Sequence, residues 1–160
     1  MNLASLLLPA LLILVLTFGF PAQGADRTWT GGGALSIWSN TRNWNGNTAP
    51  RAGDNLQFPA TAGHRTNFNN LTVFFPSMEF LGDYQVSGSP LRTALLSHSG
   101  PGALVISNQV TFAGNGRFEI GTGRAELWGG LLATNGVLEL AVTNELKLLG
   151  PLTGAASLLI

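Results

Sequence analysis

A short strand-like segment recurs through the second half of the chain. Copies of it begin at Gly116, Gly136 and Ala156, so that their starts lie 20 residues apart, and a fourth copy begins at Gly102. A fixed period near 20 residues is typical of stacked units, because one unit alone cannot bury its apolar face. The repeat therefore predicts a solenoid, and it does not by itself indicate an activity.

Each copy carries apolar side chains at two alternate positions. Successive side chains of a strand point to opposite faces, so each pair lies on one face, and stacked coils place the pairs in columns about 4.8 Å apart. We expect these columns to form the core. The pairs are Leu104 and Ile106, Phe118 and Ile120, Leu138 and Leu140, and Leu158 and Ile160.

Two kinds of solenoid have a period of this size. Leucines at 127–132 and 146–152 fill each turn, which gives the three short strands per coil expected of a β-helix. A leucine-rich repeat requires a Leu-x-Leu-x-x-Asn step, but Leu140 is followed by Thr143 and only then by Asn144. The predicted fold class is therefore all-β, a right-handed parallel β-helix (β-solenoid) with a Trp-rich N-terminal cap.

The charge balance argues against several kinds of partner. The 160 residues include eight basic and eight acidic residues, and the net charge is zero. A neutral chain without a basic run does not favour binding to nucleic acid or anionic lipid. The lack of cysteine excludes disulfides and thiolate metal sites. We predict no nucleic-acid partner and no cofactor.

The first 24 residues have the features of a secretory signal peptide. An apolar run over residues 3–20 precedes the small residues Ala22 and Gly24, which place a cleavage between Gly24 and Ala25. An uncleaved membrane anchor is the alternative, because the run is close to the length that spans a bilayer. Cleavage predicts a secreted, periplasmic or cell-surface protein that contacts the membrane only through this segment.

Residues 25–59 carry three tryptophans, Trp29, Trp38 and Trp44, within 16 residues. In one interpretation these rings cap the open end of the stacked core, since a solenoid needs a terminal unit with a different surface. In the other they form a platform that stacks on sugar rings. The cap is favoured, because nothing places a Trp beside a convergent set of polar side chains. Asp54 is expected to hydrogen-bond its own turn.

The segment between residues 60 and 100 is predicted from alternation alone. Leu71, Val73 and Phe75 indicate a short strand, and we expect Pro76 to end it because proline breaks ladder bonding. The side chains expected to point inward in the next two strands are Met78, Phe80, Tyr84 and Val86.

Few residues suggest catalysis. His64 and His98 are both expected in solvated loops, and Ser97 and His98 point to opposite faces, which argues against a triad with Asp83. Glu119 and Glu139 are expected to share an outward position on adjacent coils. Two carboxylates could bind calcium or act as an acid/base pair, but a solvated outer face is favoured because only these two stack.

One pattern of residues near the N-terminal end comprises Trp29, the glycines at 31–33, Trp38, Asn43, Trp44, Pro50, Gly53, Asp54, Leu56, Gln57 and Phe58. This pattern resembles the start of bacterial secreted proteins with autotransporter-associated β-strand repeats, and residues 78–88 look like the first strand-turn-strand unit of such proteins. The resemblance implies a secreted or surface-exposed right-handed β-helix passenger, and it implies no catalytic residues.

The sequence thus predicts a signal peptide over 1–24, a cap region over 25–59 and β-helix coils over 60–160 that stop mid-coil. The open apolar edge at Ala156 to Ile160 leaves two alternatives: the chain continues in a longer parent protein, or this edge pairs with a partner such as another copy. We expect a structural or adhesive surface module that is not an enzyme, with surface glycans or other surface proteins as partners. The alternative is a carbohydrate-binding or carbohydrate-active β-helix protein, with Trp29, Trp38 and Trp44 as glycan contacts.

Overall fold

Short strands separated by tight turns make up the fold. A computed structural model describes residues 24–154 and 157–160. Two short 3₁₀ turns, Thr41–Asn43 and Asn45–Asn47, lie near the N-terminal end. The strands are β1 (Asp26–Thr28), β2 (Asn55–Phe58), β3 (Thr66–Asn69), β4 (Phe74–Phe80), β5 (Tyr84–Gly88), β6 (Leu91–His98), β7 (Ala103–Ile106), β8 (Val110–Ile120), β9 (Arg124–Leu127), β10 (Leu131–Thr134), β11 (Val137–Val142), β12 (Glu145–Leu148), β13 (Leu152–Gly154) and β14 (Ser157–Leu159).

These strands form two sheets in which neighbouring strands are parallel. The nine-stranded sheet runs β1-β2-β4-β6-β8-β10-β13, with β11 bridging β8 and β14, and the five-stranded sheet runs β12-β9-β7-β5-β3. The chain winds through both sheets as a solenoid of about five turns. The predicted all-β parallel solenoid is therefore confirmed. The long strand β8 pairs with β10 through its first half and with β11 through its second half.

Columns of side chains run through neighbouring coils and form the core. Phe80 pairs with His98, and His98 pairs with Ile120, and all three side chains are buried. Burying a Leu, Ile or Phe side chain contributes about 1.5–3 kcal/mol before the loss of entropy is subtracted. Further columns include Leu56, Met78, Leu96, Phe118 and Leu140 in the first sheet, and Tyr84, Leu104 and Ala125, and Val86, Ile106 and Leu127, in the second.

Three of the four predicted inward pairs are buried, but the prediction that Leu158 and Ile160 lie in the core is wrong because both are exposed at the end of the stack. Part of the predicted register is also wrong. Leu138 pairs with Leu158, as expected, whereas Phe118 pairs with Leu140 rather than with Leu138. A shift of two residues leaves every side chain on its original face, so the apolar alternation cannot distinguish the two registers. The fourth copy was also misplaced, because Leu104 lies in the second sheet and pairs with Ala125.

A corner in β8 accounts for part of the irregular spacing. Thr93 pairs with Phe112 and Leu95 pairs with Arg117, so residues 113–116 of β8 face the single residue Ala94 of β6. Extra residues of this kind form a bulge that bends the strand. The coil length therefore changes at a corner, while the columns on either side remain aligned.

The prediction that Pro76 ends a strand is also wrong. β4 begins at Phe74 and continues through Pro76 to Phe80, and Leu71 and Val73 precede it. The residues on either side of Pro76 pair with β6, but Pro76 itself has no paired residue there. A proline is tolerated at such an irregular position because no ladder hydrogen bond from its nitrogen is required.

The two ends of the chain differ in how they are covered. The region predicted as a cap supplies β1 and β2 to the first sheet. At the other end, the large exposed side chains include Leu152, Leu158, Leu159 and Ile160, and Ile160 is 90% exposed. Among the described residues, none of the helices has the length and apolar character needed to span a bilayer. The signal-peptide prediction falls mostly on residues 1–23, which lie outside the described residues.

Candidate functional site

The three N-terminal tryptophans form one buried aromatic cluster. Trp29 and Trp44 meet edge to face with ring centroids 5.1 Å apart, and Trp38 and Trp44 do so at 6.3 Å. All three rings contact Phe58, which is stacked on Phe80 at 4.4 Å. The cluster therefore continues the inward column of the first sheet and covers its N-terminal end.

Each indole N–H of this cluster has a hydrogen-bond acceptor. Trp29 Nε1 donates to the backbone oxygen of His64 at 2.6 Å, Trp38 Nε1 to Asn67 Oδ1 at 2.8 Å, and Trp44 Nε1 to the backbone oxygen of Trp38 at 2.7 Å. The rings are at most 1% exposed. Sugar stacking requires a free ring face, so the expected glycan contacts at Trp29, Trp38 and Trp44 are corrected: these residues are core.

Asn43 holds the loop that positions the cluster. Its Oδ1 accepts the N–H of Gly33 at 2.8 Å, and its Nδ2 donates to the backbone oxygens of Leu35 and Ile37 at 2.7 and 2.9 Å. The side chain is fully buried, and an unpaired buried amide would cost about 1–3 kcal/mol. The sequence marked Asn43 only as part of a motif and did not reveal this role.

Asp54 lies at a second buried polar site. Its Oδ2 accepts from the Arg51 N–H at 3.0 Å, as its turn predicts, and from Arg27 Nε at 2.9 Å, while its Oδ1 accepts from the Ala25 N–H at 2.8 Å. Burial by itself raises the pKa of the Asp54 carboxyl. The hydrogen bonds and the Arg27 charge outweigh burial and hold that pKa below its usual 3.8.

The two histidines have different environments. His64 is exposed, as predicted, but the prediction of a solvated loop for His98 is wrong. His98 is fully buried in the core column, with Nδ1 3.1 Å from the backbone oxygen of Phe80 and Nε2 3.4 Å from that of Gly102. Asp83 Oδ1 accepts the Ala103 N–H at 2.7 Å. Ser97, His98 and Asp83 therefore do not form a triad.

The predicted carboxylate pair is replaced by an ion-pair network. Glu119 pairs across the strands with Ala141, and Glu139 pairs with Arg117, so the two glutamates are not opposite each other. Arg117 Nε lies 2.6 Å from Glu119 Oε1 and 3.8 Å from Glu139 Oε2. The structure places an arginine between the two carboxylates, because the true register differs by two residues from the predicted one.

Three further acidic side chains bind to neighbouring coils. Asp26 accepts from Asn55 Nδ2 at 3.0 Å, Glu79 accepts from Gln57 Nε2 at 3.0 Å, and Glu126 lies 3.7 Å from Lys147 Nζ. In residues 24–154 and 157–160, no group of three or more His, Cys, Asp or Glu side chains could hold a metal ion.

A shallow depression on the outside of the second sheet has a mixed polar lining. Its volume is 440 Å³, and its walls include Asp83, Arg124, Asn144 and Glu145. Asp83 already accepts a backbone N–H, and Asn144 Nδ2 donates to the backbone oxygen of Thr122 at 2.9 Å. Asp83 and Asn144 are thus used to fasten turns.

Trp128 is an exposed large aromatic side chain at the end of β9, as is Phe68 on β3 of the same sheet. Trp128 is 57% exposed and directly follows Leu127, which pairs with Leu148 on the next coil. Leu149, which is also exposed, follows Leu148, so Trp128 and Leu149 lie at the same corner of adjacent coils. Sequence reasoning missed Trp128, although alternation from the inward Ala125 and Leu127 places the indole outward.

Comparison of the chain with protein-family models, with curated proteins and with solved structures found no match.

Proposed function

We propose that the chain is a secreted or cell-surface structural or adhesive β-solenoid module without catalytic activity. The resemblance of its N-terminal half to bacterial passengers with autotransporter-associated β-strand repeats is part of the same proposal. The observation that carries it is how the acidic residues are used. All eight acidic residues of the chain make a hydrogen bond or an ion pair, and six of them bridge adjacent coils: Asp26, Asp54, Glu79, Asp83, Glu126 and Glu139.

A catalytic carboxylate needs an environment that prepares it for proton transfer or nucleophilic attack. Here the carboxylates accept hydrogen bonds from backbone and side-chain donors on the next coil. They therefore hold adjacent coils together. Asn55 extends this pattern, because it donates to Asp26 and accepts from Ser77 Oγ at 3.0 Å. Such ladders support a stiff rod with a regular outer surface, which suits a scaffold or an adhesin.

Export and adhesion are tested separately. The full chain, with a C-terminal tag, is expressed in a bacterial host and fractionated, and we expect it outside the cytoplasm. Beads coated with the purified protein are then passed over surface glycoproteins and intact cells. We expect more retention than with beads carrying an unfolded Leu138→Asp variant. Cytoplasmic retention of the chain, equal bead retention, or cleavage of polysaccharides by the protein would contradict the proposal.

Trp128 favours a second candidate function, carbohydrate binding. An exposed indole face can stack on a sugar ring, and the neighbouring Leu149 extends the apolar surface on the next coil. Trp128→Ala should abolish binding on a glycan array while circular dichroism remains unchanged. Leu95→Ala, on the other sheet, is the control. If Trp128→Ala retains full glycan binding, this candidate is wrong at this site.

A further inference from the structure

We propose that Asp54 is the receptor for the N-terminus created by cleavage between Gly24 and Ala25, so that removal of the signal segment fastens the first coil of the solenoid. The inference rests on the secreted location proposed above. It adds a site that the proposed function does not require, and it explains the burial of Asp54.

The geometry around Asp54 is already that of a receptor. The carboxyl is buried, with 5% of the residue exposed. Arg27 Nε and the Arg51 N–H occupy Oδ2, whereas the backbone nitrogen of Ala25 is 2.8 Å from Oδ1. The carbonyl of Ala25 accepts the Asn55 N–H at 3.0 Å. Both backbone polar groups of Ala25 are thus fixed on β2 and its preceding turn.

Cleavage changes the chemistry of that contact and leaves its position unchanged. Water adds across the Gly24–Ala25 peptide bond: its hydroxyl goes to the carbonyl carbon of Gly24, and a hydrogen goes to the nitrogen of Ala25. That amine takes a further proton from solvent and becomes an ammonium. A neutral amide donor to Asp54 is replaced by a charged one, and charge-assisted hydrogen bonds are about twice as strong as neutral ones.

Gly24 provides a second, independent observation. A Cβ at residue 24 would overlap the backbone oxygen of Gly53, in the turn that leads into Asp54. Only glycine fits at this point of the described chain, and a small residue there is also what the peptidase requires. The residue on the leader side of the bond therefore lies against the same turn that receives the new N-terminus.

The reactivity of the α-amine tests this site. The chain has one lysine, Lys147, so in a Lys147→Arg background the α-amine of the exported protein is its only amine. Intact mass first establishes that the product begins at Ala25. We expect acetylation by an N-hydroxysuccinimide ester at pH 7 to be at least about tenfold faster with Asp54→Asn added, because one unit of pKa corresponds to a tenfold change in free amine.

Asp83→Asn is the matched control. Asp83 also accepts a backbone N–H, that of Ala103, at 2.7 Å, but it is not placed on Ala25. The variant should lose less stability than Asp54→Asn, because Asp83 is exposed, and it should leave the acetylation rate unchanged. Equal rates in the Asp54→Asn and parent proteins would overturn the inference while leaving the proposed secretion intact. A product that still carries residues 1–24 would overturn the inference, and recovery of that product in the cytoplasm would overturn the proposed location as well.

A second measurement covers the case in which Asp54→Asn does not fold. An α-ammonium paired with Asp54 has its pKa raised above the ordinary 7.7–8.0. The pair of the α-ammonium and Asp54 therefore stabilises the folded protein fully below about pH 7.7, and this stabilisation is lost as the pH rises through the raised pKa of the amine. The Tm of the Lys147→Arg protein should therefore fall above about pH 8, and α-acetylation should lower the Tm at pH 7 and remove this fall. A Tm that acetylation leaves unchanged would overturn the inference.

Discussion

The imidazole of His98 fills the space that a side chain at Gly123 would need. A Cβ on Gly123 would overlap His98 Nε2, and it would also lie within 2.8 Å of the backbone oxygen of Gly102. The backbone of Gly123 does not have a positive φ, so the glycine is required by packing against His98 and the carbonyl oxygens of Gly100 and Gly102. A histidine in the core column is thus accommodated by the absence of a side chain at the next corner.

Gly123→Ala should destabilise the protein by about 1–3 kcal/mol, the usual cost of overpacking a core. Chemical denaturation followed by circular dichroism measures the change. Gly121→Ala, two residues away, is the control, because its Cβ would meet ordinary contacts at 3.4 Å and beyond. If both variants lose the same stability, the cost does not come from the contact with His98.

Leu138→Asp should unfold the protein or cost about 3–5 kcal/mol, since it places an uncompensated charge in a buried column. Val137→Asp should change the free energy of unfolding by less than about 0.5 kcal/mol, because Val137 is 42% exposed. Thermal unfolding of both variants compares the two faces of β11. Similar losses would show that the assigned faces are incorrect.

Trp38→Phe should cost about 1–3 kcal/mol, because it removes the donor to the buried Asn67 Oδ1 and leaves that oxygen unpaired. Trp128→Phe, at an exposed position, should have little effect on stability. Urea unfolding monitored by fluorescence of the remaining tryptophans provides the comparison. A tolerated Trp38→Phe would mean that the indole hydrogen bond does not stabilise the cap.

The register of β8 and β11 can be tested by cross-linking, because the chain has no native cysteine. Glu119→Cys with Ala141→Cys joins residues directly opposite in parallel strands, at about 4.8 Å, which a disulfide can span. Glu119→Cys with Glu139→Cys joins diagonal positions, which are farther apart than about 7 Å. Oxidation should therefore cross-link the first pair much faster. Preferential cross-linking of the second pair would restore the 20-residue register.

Acid should remove the stabilisation that Asp54 provides. Its pKa is lower in the folded protein than in the unfolded chain, where it is near 3.8. The contribution is therefore complete above that value and is lost as the pH falls through the folded pKa. The Tm difference between the parent and Asp54→Asn should be largest near neutral pH and shrink below about pH 4. A difference that persists unchanged at pH 2 would contradict this prediction.

The sequence was sufficient to predict the faces of the strands. Inward positions such as Met78, Tyr84 and Leu138 follow from alternation, because one face must be buried. The register between strands was harder to predict from the sequence. Phe118 points inward whether it pairs with Leu138 or with Leu140, because these two registers differ by two residues. The register is determined by the number of residues at each corner. Residues 113–116 have no apolar periodicity, so the sequence does not reveal how many of them form the bulge.

The candidate site was predictable only in part. The cap interpretation of Trp29 and Trp44 agrees with their burial, but the Trp29 indole N–H donates to the carbonyl of His64, 35 residues along the chain, which alternation does not locate. His98 was misassigned because its type and neighbours indicate a loop. Its place in a column depends on the carbonyls of Phe80 and Gly102 and on the glycine at 123, and these are tertiary relationships.

The corner at residues 113–116 shows that the length of the solenoid and the width of a single coil are set by different features of the chain. The number of coils fixes the length of the rod, because each coil advances by one strand spacing of about 4.8 Å. The number of residues at a corner fixes only the local girth, and a side chain at Gly114 would meet nothing within 4 Å. Added residues at such a corner would widen one coil without changing the pitch, so the rod can gain new outward loops while its length remains constant.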